Sequence, residues 1–292
     1  MRLIAYTAFV IICVFALLCK SPTIILLDDS STRASIQMAI DSKVSTIVLP
    51  NKRIEIEYPL ILSHSNQKII GQSNTLLVLK SNANCPVIII GIQEKSPIQN
   101  VSLETIKIDG NRLQQPYELW QMSSNGLWTY NNGIIVQNSK NVKVSHVKVS
   151  NCRSGGLVST YYVSQLKVTD SEFYGNHFDG IACYKTTESV FENIKTHDNL
   201  AAGISLDLDF NDNRFENVDV HNNDIGIFMR KSNENKFLNV KMTNNKAYDV
   251  FISSVDGHDN TGCVGNVFTL SNSRNIFDRD PQCVSNSYTT IP

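Results

Sequence analysis

One short phrase returns six times between Asn132 and Ser253 at an almost constant interval, and this restricts the chain to architectures built by stacking. The phrases are anchored at Gly133, Gly156, Gly180, Gly203, Gly226 and Asp249, spaced 23, 24, 23, 23 and 23 residues apart. A fixed period of this size marks a solenoid, in which no repeat buries its own apolar side and each must stack on its neighbours. After every anchor the residues alternate as in a strand with one buried side. One position past the anchors stand Ile134, Leu157, Ile181, Ile204, Ile227 and Val250; three past them stand Val136, Ser159, Cys183, Leu206, Met229 and Ile252. Both columns are predicted to point inward. An upstream strand carries Phe191, Phe215 and Phe237, expected to stack as an aromatic ladder in the same interior. Asn176, Asn199, Asn222 and Asn245 lie four residues before their anchors, with Cys152 at that place in the coil before. Asparagine tolerates the left-handed conformation, so this column is read as a recurrent sharp corner.

No helix-length apolar segment interrupts the coils, and the period is too short for leucine-rich or propeller repeats. The fold class is therefore all-β, a single-stranded parallel β-helix. The chain resembles the right-handed β-helix proteins of the pectate-lyase-like superfamily, and the run from Leu103 to Arg112, Leu-Glu-Thr-Ile-Lys-Ile-Asp-Gly-Asn-Arg, is similar to a phrase common at an early coil of that group. The resemblance covers most of the chain after residue 31 and implies a right-handed solenoid. It specifies architecture far better than reaction.

The domain is expected to span 31–292, with regular coils over about 132–253. At its start, Ser31 to Ser42 places Ile36, Ala39 and Ile40 at helical spacing behind Ser and Thr residues able to cap them, which predicts a short amphipathic helix plugging the open end of the core. Short β-rich runs between Thr46 and Gly91 read as less regular first coils, and runs near Val267 and Asn275 as the last. Residues 1–22 differ from the rest: an uncharged run from Leu3 to Cys19 between Arg2 and Lys20 reads as a cleaved secretory signal or an uncleaved signal anchor. Either implies export, to the cell surface, the periplasm or the medium, with membrane contact only if the anchor is retained. With 26 basic and 27 acidic residues the chain has no electrostatic footprint for nucleic acid. Past the leader, Cys85, Cys152, Cys183, Cys263 and Cys283 contain no Cys-x-x-Cys pair and hence no zinc signature. Cys183 reads as a small inward filler, while Cys263 and Cys283 flank the last irregular stretch and could staple it.

Candidate chemistry is sought among outward columns, because neighbouring strands lie about 4.8 Å apart. Four past the anchors the residues are Gln137, Thr160, Tyr184, Asp207, Arg230 and Ser253. The middle coils thus offer a shallow notch, floored by Gly180, Gly203, Gly226, Ala182 and Ser205 and edged by an exposed cluster of Tyr184, Asp207 and Arg230. Arg pairs a uronate carboxylate in bidentate fashion, and Asp and Tyr handle protons. The competing reading is a cross-strand Asp207–Arg230 ion pair with Tyr184 packed beside it. Asp207 and Asp209 offer oxygens for an optional calcium ion; no cofactor is required. An insertion from about Arg112 to Asn131 holds Tyr117, Trp120, Trp128 and Tyr130, which either cover the outward Ile135 and Val158 or also stack on sugar rings.

Two finer resemblances bear on the site. Asn176-His-Phe-Asp179-Gly is similar to the phrase that supplies one catalytic carboxylate in polygalacturonase-like hydrolases. The next coil, however, reads Ala201-Ala-Gly where that family has paired aspartates, so Asp179 is either catalytic or turn-forming. The coils also resemble those of alginate C5-epimerases in Ser189-Val-Phe-Glu-Asn, and Asp207 matches that family's Asp four past a glycine. Ala182 and Tyr184 stand where its Asp and His would be, so the likeness reaches Asp207 alone. The function these features imply is action on an acidic polysaccharide outside the cell, as a lyase, C5-epimerase or glycoside hydrolase. The alternative is a non-catalytic glycan-binding or structural surface β-helix.

Overall fold

The computed structural model describes residues 23–116, 131–254 and 262–291. Within them the repeat becomes a stack of parallel strands. One nine-stranded sheet runs in chain order through Leu60–Leu62, Ile88–Ile90, Ile134–Gln137, Leu157–Thr160, Ile181–Tyr184, Ala202–Asp207, Ile225–Arg230, Tyr248–Ser253 and Ile276–Asp278. The remaining strands form a seventeen-stranded parallel array that bends around the other sides. Register follows the sequence period: Ile134 pairs with Leu157, Leu157 with Ile181, Ile181 with Ile204, Ile204 with Ile227 and Ile227 with Val250. Both inward columns are buried throughout, including Ser159, whose hydroxyl shares a 2.8 Å hydrogen bond with that of Thr186. The chain is a right-handed parallel β-solenoid, as expected.

The phenylalanine ladder is longer than the three rings read from the sequence. Phe191, Phe215, Phe237, Phe268 and Tyr288 stack at 4.4, 5.1, 4.5 and 4.9 Å between centroids. Near-parallel rings at this spacing follow from in-register coils, which repeat each side chain one strand spacing further on.

At the corners the structure corrects the expectation. The asparagine column is Asn176, Asn199 and Asn223, all buried, and the half-buried Asn245, each side-chain amide donating to the next side-chain oxygen at 2.9, 2.9 and 3.3 Å. Asn222 lies outside it, exposed. Nor are the ladder residues left-handed. That conformation belongs to the residue before each, with φ of 62° at Gly175, 55° at Asp198, 57° at Asn222 and 55° at Asn244. Asparagine is needed at the ladder because its amide both donates and accepts, so an endless chain of bonds leaves none unpaired. A second such ladder, unforeseen, joins Asn213, Asn235, Asn266 and Asn286 at 3.1, 3.0 and 3.0 Å.

The N-terminal plug is a helix over Arg33–Asp41, capped by Thr32 and burying Ile36, Ala39 and Ile40. Ahead of it a strand at Ile24–Leu26 pairs with Thr46–Val48, so the sheet begins before residue 31. Cys85, Cys152, Cys183, Cys263 and Cys283 are free thiols, so the staple that the last two could form is not closed. Among the described residues no helix is long and apolar enough to cross a membrane; residues 1–22 lie outside them.

Candidate functional site

A cleft of about 640 Å³ opens on the outer face of the nine-stranded sheet. Its floor is the column two past the anchors, Ile135, Val158 and Ala182, which are in register on adjacent strands. Along the strands' far ends it is walled by Gln137, Thr160, Tyr184, Asp207 and Arg230, and along their near ends by Ser154, Phe178 and Asp179. The column read from the period therefore does form one wall, and Asp179 shares the same cleft.

The glycines are not floor, contrary to expectation. A Cβ at Gly180 would stand 2.1 Å from Thr196 Oγ1 and 2.7 Å from the Gly203 carbonyl oxygen, so these anchors are places where neighbouring coils touch backbone to backbone. Ser205 lies in register between Ala182 and Phe228 but is buried and does not line the cleft.

The cluster's exposure also differs from the reading. Asp207 is buried, its side chain 4 % exposed, while Arg230 is 40 % exposed. Arg230 donates to Asp207 Oδ2 through Nε at 3.0 Å and through Nη2, and its guanidinium lies over the Phe228 ring, 5.1 Å from the centroid. The cation is thus held by a carboxylate and an aromatic ring, and Arg230 lines the cleft. Asp207 Oδ1 is buried and accepts no hydrogen bond among the described residues. Burial raises the Asp207 carboxyl above its ordinary range, and the Arg230 charge opposes that rise.

Tyr184 is in register with Asp207. Its phenol is raised by burial, then by the negative charges of Asp179 and Asp207, so it is protonated at neutral pH. Asp179 is half-buried; its Oδ1 accepts the Ala202 N–H at 2.9 Å, and burial pushes its pKa up to about 6. That bond fits the turn-forming reading, while the raised pKa suits proton transfer near neutrality.

Asp209 is not brought to the cleft. It sits in a left-handed corner with φ of 72°, and its carboxylate faces Lys231 Nζ at 3.5 Å. Among the described residues no group of three or more His, Cys, Asp or Glu is placed to hold a metal ion. Tyr117, Trp120, Trp128 and Tyr130 lie outside the described residues.

The sequence reading passed over Tyr161, Lys185 and Leu208, which also line the cleft. Their signal was the same period: all stand five past their anchors. With Asn138 and Lys231 they form a corner of left-handed residues, φ 44° at Asn138, 56° at Tyr161, 46° at Lys185, 50° at Leu208 and 41° at Lys231. Left-handed non-glycine backbone costs roughly 1 kcal/mol or more per residue, and it recurs at other corners such as Asn141, Asn193 and Asn239, so this strain belongs to the coil architecture.

Residues 94–275 match the family described as "Right handed beta helix region". No curated protein sequence matches. Among solved structures, the mannuronan C-5 epimerase AlgE4 A-module of Azotobacter vinelandii is similar, at 16 % identity and a TM-score of 0.54 over 89 % of this chain and 92 % of that one. The gene product 12 N-terminal fragment of bacteriophage phi29 aligns at 14 % identity and 0.64, over 88 % and 54 %. Tailspike protein 2 of an Escherichia coli O157:H7 bacteriophage aligns at 14 % and 0.53, over 87 % and 40 %. At these identities the likeness is one of fold.

Proposed function

The chain belongs to the right-handed β-helix family, and on that footing we propose that its cleft binds an acidic polysaccharide and moves a proton on a uronate ring. The observation that carries this reading is the meeting of Asp179, Tyr184 and a braced Arg230 in one apolar-floored groove. Arg230 pairs with the carboxylate of a uronate further along the bound chain and holds the polysaccharide in the groove, since its partner Asp207 stands five strand positions beyond the Ala202 N–H that holds Asp179. Asp179, with a pKa of about 6, is the group able to take the C5 proton near neutrality. Tyr184 stays neutral and donates from its O–H. Loss of the C5 proton followed by breakage of the C4–O4 bond gives elimination; return of a proton to the opposite face gives epimerisation. That a fold neighbour is named a mannuronan C-5 epimerase agrees with this choice.

Hydrolysis fits less well. Asp179 bonds to Ala202, and Asp207 lies five strand positions further on, roughly 16 Å along the sheet at about 3.3 Å per residue. An inverting pair of carboxyls stands about 6.5–9.5 Å apart and a retaining pair closer. The leader, the composition and the polysaccharide role together point to a protein that works outside the cell.

A second reading has its own support: Arg230 is already satisfied by Asp207, which suits a surface that binds glycan without acting on it. The experiment is incubation with polymannuronate, polygalacturonate and a neutral glucan, with and without calcium, following unsaturated ends, C5-epimer ratio and reducing ends. Unsaturation or epimer change is expected, with a rate that rises through about pH 6 as Asp179 loses its proton and falls sharply in Asp179→Asn. Saturable binding with no product establishes the non-catalytic reading; new reducing ends alone overturn the proton-transfer chemistry.

A further inference from the structure

The last two coils place Cys263 and Cys283 side by side. Val264 bridges to Val284 in parallel, Asn266 Nδ2 donates to Asn286 Oδ1, and Val267–Ser271 pairs with Ser287–Ile291. Each partner lies twenty residues further on, and so does Cys283 from Cys263, so the two cysteines hold one position on successive coils. In-register parallel neighbours are about 4.8 Å apart, within the Cα range of about 4.4–6.8 Å that a disulfide spans. The sulfur already leans across: Cys283 Sγ accepts the Cys263 backbone N–H at 3.2 Å.

The two thiols are also unlike each other. Cys263 is fully buried and Cys283 half-buried. The hydrogen bond between the two side chains lowers the Cys283 thiol below its ordinary range and raises that of Cys263. Accessible, acidified thiols attack first, and buried neighbours resolve. Cys85 is raised to about 11 and Cys183 to about 12, both by burial.

We propose that Cys263 and Cys283 form a disulfide staple that ties the terminal coil to the one before it. The oxidant is a second disulfide, such as oxidised glutathione or a protein dithiol carrier. The Cys283 thiolate attacks one sulfur of that disulfide, forming a mixed disulfide and releasing one thiolate. Cys263 gives its proton to solvent and attacks Cys283 Sγ, which closes the new S–S bond and releases the second thiolate. Two protein thiols are oxidised and one external disulfide is reduced. The staple sits where a solenoid most needs one, because a terminal repeat lacks a neighbour on one side and opens first. Here that coil ends the aromatic ladder at Tyr288, tied by its O–H to Asp278 Oδ2 at 2.7 Å. The inference stands apart from any activity of the cleft.

The test uses the full, reduced, natively folded chain, incubated with oxidised glutathione, alkylated and mapped without reductant. A peptide joining Cys263 to Cys283 is expected, with loss of both thiols to alkylation and slower proteolysis of the segment after Ser271. In Cys263→Ser the expected product is glutathione held on Cys283; in Cys283→Ser neither crosslink nor adduct at this place should form. Continued alkylation of both thiols in the wild-type chain, or glutathione accumulating on Cys283 there without the crosslink, overturns the proposal.

Discussion

The outward column two past the anchors divides the sheet into two unlike halves. Over the earlier coils it reads Ile135, Val158 and Ala182 and forms the floor of the cleft. Over the later ones it reads Phe228, Phe251 and Phe277, whose rings stack on one another at 5.7 and 4.8 Å and close the face. Strand direction, register and inward columns continue unchanged between them. Residue size at a single outward position thus decides whether the same sheet offers a groove or a sealed ladder. The phenylalanine faces are spent on each other and, at Phe228, on Arg230, which stands at the boundary and is fixed by the closed half for use by the open one.

The largest expected effect is in what the halves share. Ile204→Asp puts a charge into the inward column between Ile181 and Ile227, all of them buried. It should cost about 4 kcal/mol or more, read by chemical denaturation, since a buried unpaired charge is among the most destabilising single changes. A small loss would mean that the column is not the common core of both halves.

Next comes the boundary. Arg230→Ala removes the partner of a buried carboxylate, and we expect a loss of about 2–3 kcal/mol at neutral pH. That lies between an exposed ion pair, worth about 0–1, and the breaking of a fully buried one, about 3–5. The sign with pH is fixed. Burial already holds the Asp207 pKa above its ordinary 3.8, and loss of Arg230 lifts it further. The deficit is full above that raised value and fades as pH falls from it to the wild-type folded value, itself above 3.8, below which Asp207 is neutral in both folded proteins. A deficit independent of pH would assign the loss to the Phe228 contact instead.

How far the molecule was legible in its sequence differs between inside and outside. Columns such as Ile134 to Val250 were readable because in-register stacking turns a period directly into a contact list. The corner was misread at Asn222 because there the spacing from ladder asparagine to anchor shortens by one, and two adjacent asparagines, Asn222 and Asn223, hide the shift. The second ladder, Asn213 to Asn286, was missed although each member stands two residues before an inward aromatic. At the site, period alone put Tyr184, Asp207 and Arg230 in one wall. It carries no information on depth, so Asp207 was expected to be exposed; nor could it reveal that Asp179 shares the cleft, because near-end and far-end walls come from different offsets.

Within the closed half, Phe251→Ala removes the middle ring of the outer ladder. The ring is half-buried, so the expected cost is about 1–2 kcal/mol, less than the 3–5 typical of a fully enclosed Phe. Polysaccharide binding in the cleft should be unchanged. A loss of binding on this substitution would show that the ligand runs on past Arg230 over the rings.

The finest test converts one half into the other. Val158 is half-buried at the centre of the open floor, flanked in register by Ile135 and Ala182. In Val158→Phe the added ring projects outward from the sheet, away from the inward core, so the change in stability should stay within about 0.5 kcal/mol. The volume it takes is the volume a sugar ring would need. If the cleft is where polysaccharide binds, affinity measured by calorimetric titration with a uronate oligomer should fall at least about tenfold, or about 1.4 kcal/mol, while the unfolding midpoint hardly moves. Unaltered affinity with unaltered stability would separate the groove from the binding surface, leaving the difference between the two halves a matter of packing alone.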